Sequence, residues 1–423
     1  MGDDEESSDD DSVRPPRLRR VIIEGINTMY EDRYEQPRNT LPRGPSYLYH
    51  VLTALKAGRE DHFREALRVS PQTFDKLVAR LENDPIFFNH GNQPQLSVEQ
   101  QLAVALYRFG HDGNGASIQS VANWAGLGKG TVHLCTRRVM AAVLRPSFMK
   151  EAVRLPTPEE KEWAKRWVHD HSCKSWRNGW CFVDGTLVPL DKQPTWYGPS
   201  YFDRKCNYSL NIQVINLPNL QIIDFSYGHT GSTHDSVAWN GTKVAQEHAT
   251  VFEEGEWIWA DSAYPIASWV TAPYKKPARD LPDNEVFNNH VSMLRIRSEH
   301  AIGFLKGRFH SLKHLRVKIC NEAGHKIATY WVAACIGIHA FAMRCEEEER
   351  GGDDPDSDNP DPFIAEGLSS DSGSSDQRIA PQHGESRDRL TDGKQLREML
   401  KEKLFRAKER RRRRRVARHA ELL

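Results

Sequence analysis

One stretch limits the fold more than any other: residues 180–190, WCFVDGTLVPL, an apolar run of strand type that reaches a single carboxylate at Asp184 and then a glycine. Burying an ionised carboxylate is expensive unless it is paired or binds a metal. Asp184 is therefore read as a metal ligand at the end of a buried strand, with an Asp-Gly hairpin turn as the alternative. A second hydrophobic strand, WIWADSAYP at 257–265, also ends on an acid, Asp261.

The 423 residues leave room for two or three domains, and 38% hydrophobic content supplies a core for part of them. A formal net charge of zero conceals separated blocks: an acidic start, an acidic segment from Glu346, and a basic end. The seven cysteines are odd in number and include no CxxC pair, so neither a disulfide framework nor a zinc ribbon is indicated and a reducing compartment is expected. The N-terminus lacks a signal-peptide core, and no stretch of about 18 apolar residues is found to span a bilayer. A soluble intracellular protein with no membrane partner is the expectation.

Residues 1–45 are acidic, then arginine-rich at Arg14, Arg17, Arg19 and Arg20, and broken by prolines; a disordered arm is expected. A helical domain follows over 46–155. Ser70-Pro71 starts one helix, with Phe74, Leu77, Val78 and Leu81 at i, i+3, i+4 and i+7. Ser97 with Gln100 three residues on is a capping box for another. The segment 117–144 has the layout of a helix-turn-helix, with Ala122, Gly126 and Val132 at the structural positions. Lys129, Thr131, His133, Thr136 and Arg137 then face outward on the second helix, where a recognition helix meets DNA. An ordinary helical hairpin is the alternative.

Past a linker with Pro156 and Pro158 the pattern changes to mixed α/β over 156–345. Leu210, Ile212 and Val214 alternate with Asn211 and Gln213, as in a half-buried strand, and 220–227 reads as its hairpin partner. Such layouts place ligands at the carboxyl ends of strands, where Asp184 and Asp261 both fall. Asp235 follows the glycine-rich loop in GHTGSTHDSVAW and, taken alone, reads as a plain N-cap. From 291 the helix VSMLRIRSEHAIGFLKGRFHSL sets Leu294, Ala301, Leu305 and Phe309 on an apolar stripe, with Glu299, Gly303, Lys306 and His310 on a different face. Glu299 is then either a solvated surface acid or part of the site. Its basic neighbours Arg295, Arg297, Lys306, Arg308 and Lys313 suit a phosphate backbone, and Gly303 allows close approach.

Five motifs in order, VDGT at 183–186, DRKCNYSLNIQV at 203–214, GSTHDS at 231–236, ADSAYP at 260–265 and RSEHAIGFLKGRF at 297–309, together resemble the DDE endonuclease domain of PIF/Harbinger transposases and their domesticated derivatives. The resemblance implies an RNase H-like mixed sheet whose catalytic acids are Asp184, Asp261 and Glu299, with Asp235 as an additional metal ligand. It departs from the family pattern after the glutamate, where an arginine and an aromatic are usual and His300 and Ile302 stand here.

Carboxylate oxygens select hard cations such as Mg²⁺ or Mn²⁺. The function expected is two-metal cleavage of DNA phosphodiesters by an active or domesticated transposase. The alternatives are a catalytically silent DNA-binding or scaffold protein and a hydrolase of another phosphoester. Lys129, Thr131, His133, Arg137, Arg295, Lys306 and Arg308 are the expected DNA contacts. The resemblance adds a Myb/SANT-like protein as partner, and a homo-oligomer is left open. Residues 346–392 read as an acidic disordered linker. The basic tail at 393–423 carries Arg410, Arg411, Arg412, Arg413, Arg414 and Arg415, a candidate nuclear localisation signal.

Overall fold

The computed structural model describes residues 17–31, 45–89, 91–349, 361–368 and 387–420, and the chain divides into two compact units, Met1–Pro45 and Ser46–Leu423. The first unit contributes helix α1 (Arg17–Glu31). Its Val21, Ile22, Ile23 and Ile26 are exposed, and Arg20 pairs with Glu24 one turn on at 3.3 Å. The arm expected to be disordered is thus helical over these residues: Pro15, Pro16 and Pro37 flank the segment and leave its interior free of proline.

The second unit opens with helices, among them α2 (Glu60–Leu67), α3 (Pro71–Leu81), α4 (Val98–Gly110), α5 (Ile118–Ala125), α6 (Lys129–Val143) and α7 (Pro158–His171). Local chemistry starts them as anticipated. Ser70 accepts from the N–H of Thr73 at 3.0 Å with Pro71 in the first turn, and Ser97 accepts from Gln100. The full reciprocal capping box lies at Thr157 and Glu160, heading α7.

One five-stranded sheet follows, ordered β3-β2-β1-β4-β5. Its strands are β1 (Gly179–Pro189), β2 (Ser209–Asn216), β3 (Ile222–Thr230), β4 (Trp257–Trp259) and β5 (Val270–Thr271). β1, β2 and β3 form an antiparallel meander, while β4 and β5 run parallel to β1 and to each other. The mixed α/β class agrees with the sequence reading. β2 differs from it, because every residue in this strand is buried rather than every second one. Both its faces are covered, so Asn211 and Gln213 sit inside.

Helices α8 (Pro282–Arg308) and α9 (Glu322–Glu349) share one hydrophobic cluster with this sheet and the first helices, and α8 also contributes to two others. Phe109 of α4, for example, meets Trp331 of α9 edge-on at 4.8 Å. α9 corrects one expectation. It is long and apolar enough by composition to cross a membrane, yet 83% of the relevant window is buried inside the protein, which makes it a core helix.

The stretch expected to be disordered over 346–392 is structured in part. α9 runs on to Glu349, and α10 (Pro362–Leu368) lies along α8. α10 is held by glycine-to-backbone contact: a side chain at Gly307 would fall on the carbonyl of Phe363, and one at Gly367 on that of Gly303. The close approach anticipated at Gly303 is therefore made by this segment. The basic end forms α11 (Arg387–Ala420), whose Leu400 and Leu404 are buried with Trp176, Trp259 and Phe287.

Candidate active site

β1 carries one acid and β4 leads to another. The two strands are in register at Phe182 and Trp259, so Asp184 and Asp261, each two residues further on, come level with one another. β1 does not turn at Asp184. It stays paired with β2 as far as Pro189 and Ser209, which rules out the Asp-Gly hairpin and sets the carboxylate inside the strand, just past the last pair with β4.

One guanidinium reaches both acids. Arg295 of α8 lies 3.6 Å from Asp184 and 3.3 Å from Asp261. Its side chain is 12% exposed, so it is not the outward phosphate contact expected from the sequence. Burial pushes the Asp184 carboxyl up to about 6, an effect that Arg295 opposes and the charges of Asp261 and Asp235 reinforce. A carboxyl shifted in this way is one whose anion gains from a further cation.

Asp235 stands beside them, across Gly185. A Cβ on Gly185 would come within 2.6 Å of its Oδ1, so only glycine permits this approach. Asp235 is not an N-cap: it lies in the first turn of a short helix, Asp235–Trp239, and turns its carboxylate to the sheet. Oδ1 accepts from Asn211 at 3.1 Å and Gln213 at 3.0 Å, and Oδ2 pairs with Arg204 at 3.3 Å. The Tyr264 hydroxyl in turn donates to Gln213. Asn211, Gln213, Tyr264 and Arg204 escaped sequence reasoning as site residues. The available signal was an amide at every second position of a strand whose other residues are apolar, a pattern read there as a solvent face.

Glu299 is exposed on α8, one turn past Arg295. Among the described residues no three His, Cys, Asp or Glu side chains gather closely enough to hold a metal ion. The structure brings Asp184 and Asp261 together on Arg295, with Asp235 across Gly185. The donor chemistry at Asp184 and Asp261 nonetheless fits a divalent cation, since two carboxylates converge on one cationic group, the guanidinium of Arg295.

The remaining basic candidates separate by burial. Arg308 is fully buried and forms a bidentate pair with Glu346 at 2.7 and 2.6 Å, while donating to the carbonyl of Arg68. It is a structural ion pair and not a DNA contact. Arg297, 7% exposed, lies over the Trp167 ring at 4.8 Å. Lys306 is 6% exposed and lines a cleft beside β1.

Two helices joined by a short turn are present at 118–143. Gly126 ends α5 in the left-handed conformation at φ +64°, and Ala122 and Val132 are buried where the two helices meet. Lys129, His133 and Arg137 are exposed along one row of α6, and Thr131 is half-buried. Thr136 points inward instead, accepting from Arg108 at 2.7 Å. On α11, Arg410, Arg411, Arg412, Arg413 and Arg414 are exposed; the side chain of Arg415 lies outside the described residues.

Residues 183–340 match the DDE superfamily endonuclease family. The chain is thus similar over this segment to the DDE superfamily endonucleases. It is similar to Protein ALP1-like of Arabidopsis thaliana, 26% identical over 270 residues that cover 58% of this chain and 63% of that protein. The chain thus spans less than two thirds of the length of this curated relative. No solved structure matches it.

Proposed function

We propose that the chain is a divalent-metal-dependent DNA endonuclease of the Harbinger transposase type, with an RNase H-like catalytic domain. The observation that carries this reading is the convergence of Asp184 and Asp261, level on two parallel strands, on the shared cation Arg295. Asp184 and Asp261 would hold Mg²⁺ or Mn²⁺, which supplies Lewis acidity to a phosphodiester and its attacking water. The chain's own residues do the rest. Gly185 lets Asp235 close against β1, Asn211 and Gln213 hold its carboxylate, and Glu299, on the helix that carries Arg295, is the third acid the reading requires. Hydrolysis adds water across one P–O bond and leaves a 3′-hydroxyl and a 5′-phosphate.

In this reading Lys129, Thr131, His133 and Arg137 of α6 contact DNA, the arginines of α11 direct the protein to the nucleus, and a Myb/SANT-like protein assists recognition. A second reading, a catalytically silent DNA-binding or scaffold protein, is favoured by one observation: among the described residues no three His, Cys, Asp or Glu side chains gather as a metal site. Plasmid nicking decides between them. Purified chain with Mn²⁺ or Mg²⁺ should convert supercoiled plasmid to the nicked form, and Asp184→Asn should abolish this while folding normally, because losing a buried charge relieves repulsion at the site. Nicking that persists undiminished in Asp184→Asn would end the catalytic assignment; no nicking by the wild type under either metal supports the silent reading.

A further inference from the structure

Beside the acids, the residues that follow Asp184 on β1 form one wall of a cleft of about 130 Å³. Four basic side chains from three places in the fold line it: Arg204 and Lys205 from the loop before β2, Lys306 from α8, and Lys313 from the turn after α8. The lining holds one carboxylate, Asp203, whose Oδ1 accepts from the N–H groups of Lys205 at 2.7 Å and Asn207 at 3.0 Å. That acid shapes the loop presenting the cations. Lys313 donates at 2.7 Å to the backbone carbonyl of Glu366, an uncharged acceptor. The Glu366 carboxylate turns away to Arg68 at 3.1 Å and His310 at 2.9 Å. Burial holds the Lys313 ammonium below its ordinary range, and Lys306 reaches the cleft although it is 6% exposed. Partly desolvated ammonium groups of this kind gain when an anion enters.

The position along β1 indicates which anion. Gly185, Thr186 and Leu187 line the cleft, and at about 3.3 Å rise per residue Leu187 lies roughly 10 Å beyond Asp184. A duplex advances about 3.4 Å per nucleotide along each strand. We propose that this cleft seats a backbone phosphate of nucleic acid up to about three nucleotides from the bond to be cut, setting the strand's register over the acids. Lysines suit this task because a compact ammonium recognises a phosphate as a point charge without demanding one orientation. The proposal rests on the nuclease reading for its ligand, but binding can be read without chemistry.

The test is duplex-DNA binding by the full chain without metal, followed by fluorescence anisotropy across a KCl series, with an abasic sugar-phosphate tetramer as competitor. Lys205→Gln with Lys313→Gln should weaken duplex binding about tenfold, lower the log–log salt slope by roughly one per lost contact, and abolish competition by the tetramer. Lys313→Arg in place of Lys313→Gln should restore most of the affinity. Lys306→Met, if it folds with an unaltered melting curve, should weaken binding in the same direction and lower the slope by roughly one. Unchanged affinity and slope in the double variant would overturn the cleft assignment even if wild-type nicking is robust. Loss of phosphate binding in the variants supports it even where no nicking is ever seen, so the two readings fail separately. Competition by a free mononucleotide but not by the abasic tetramer would also overturn it, because the cleft would then read a base.

Discussion

Single acids in this sheet differ in what their neighbours do for the charge. Asp184 meets a guanidinium, whereas Asp224 of β3 is held by the backbone N–H groups of Phe225 at 2.9 Å and Val244 at 2.7 Å. Burial nevertheless pushes the Asp224 carboxyl up to about 6 from 3.8, with those donors opposing the shift. The folded chain therefore holds this proton more tightly than the unfolded chain. The associated stability is fully present below about 3.8 and is lost as pH rises through about 6. Asp224→Asn removes the buried charge but leaves an acceptor for only one of the two N–H groups, so its stability should be lower than that of wild type near pH 4 and should lose the fall between pH 4 and pH 7 that the wild-type carboxyl imposes. Denaturant unfolding at the two pH values measures this, and a variant whose stability still falls between them as steeply as that of wild type would contradict it. Arg308 shows the opposite use of burial. Its charge is neutralised by Glu346, so one of the residues expected to contact phosphate near Glu299 is locked into the core.

Helices α8 and α10 meet closely where side chains are missing. α10 rides on α8 through Gly303, Gly307 and Gly367, and its acids reach Arg64 and Arg68 while Phe363 lies under Arg64, Arg68 and Arg308. Gly307→Ala would force the two backbones apart. The expected loss is about 2–3 kcal/mol, with faster proteolysis around 361–368. Gly130 in α6 provides the control, since nothing lies within 4 Å of a Cβ built there. Gly130→Ala should stabilise the chain by up to about 1 kcal/mol through helix propensity alone. Equal melting temperatures for Gly307→Ala and wild type would show that α10 is not seated in this way.

For the molecule as a whole, α11 joins two roles that a simple deletion would confuse. Leu400 and Leu404 fill the cluster around Trp176, Trp259 and Phe287, and the indole of Trp176 donates to the carbonyl of Leu400 at 3.0 Å. Removing the whole tail would take out at least two buried leucines, each worth about 2–5 kcal/mol, and would misreport localisation through unfolding. Neutralising Arg410 to Arg415 leaves that packing in place. Together with neutralised Arg14, Arg17, Arg19 and Arg20, it should move a fluorescent fusion from nucleus to cytoplasm with little change in melting temperature. A fusion that stays nuclear with both clusters neutral would refute the localisation proposal.

The 3.6-residue pattern, the caps at Ser70 and Ser97, the turn at Gly126 and the strands that carry Asp184 and lead to Asp261 were legible in the sequence, because each depends on residues a few positions apart. Pairing across the fold was not. That Arg295 bridges two acids, that Arg308 is buried on Glu346, that the amides of β2 turn inward to Asp235, and that α10 closes on Gly303 and Gly307 all follow from segments far apart in the chain. A basic side chain looks the same in sequence whether it meets solvent, a carboxylate or a carbonyl. Only the tertiary structure decides which, because burial sets the strength of a charge and the partner that must balance it.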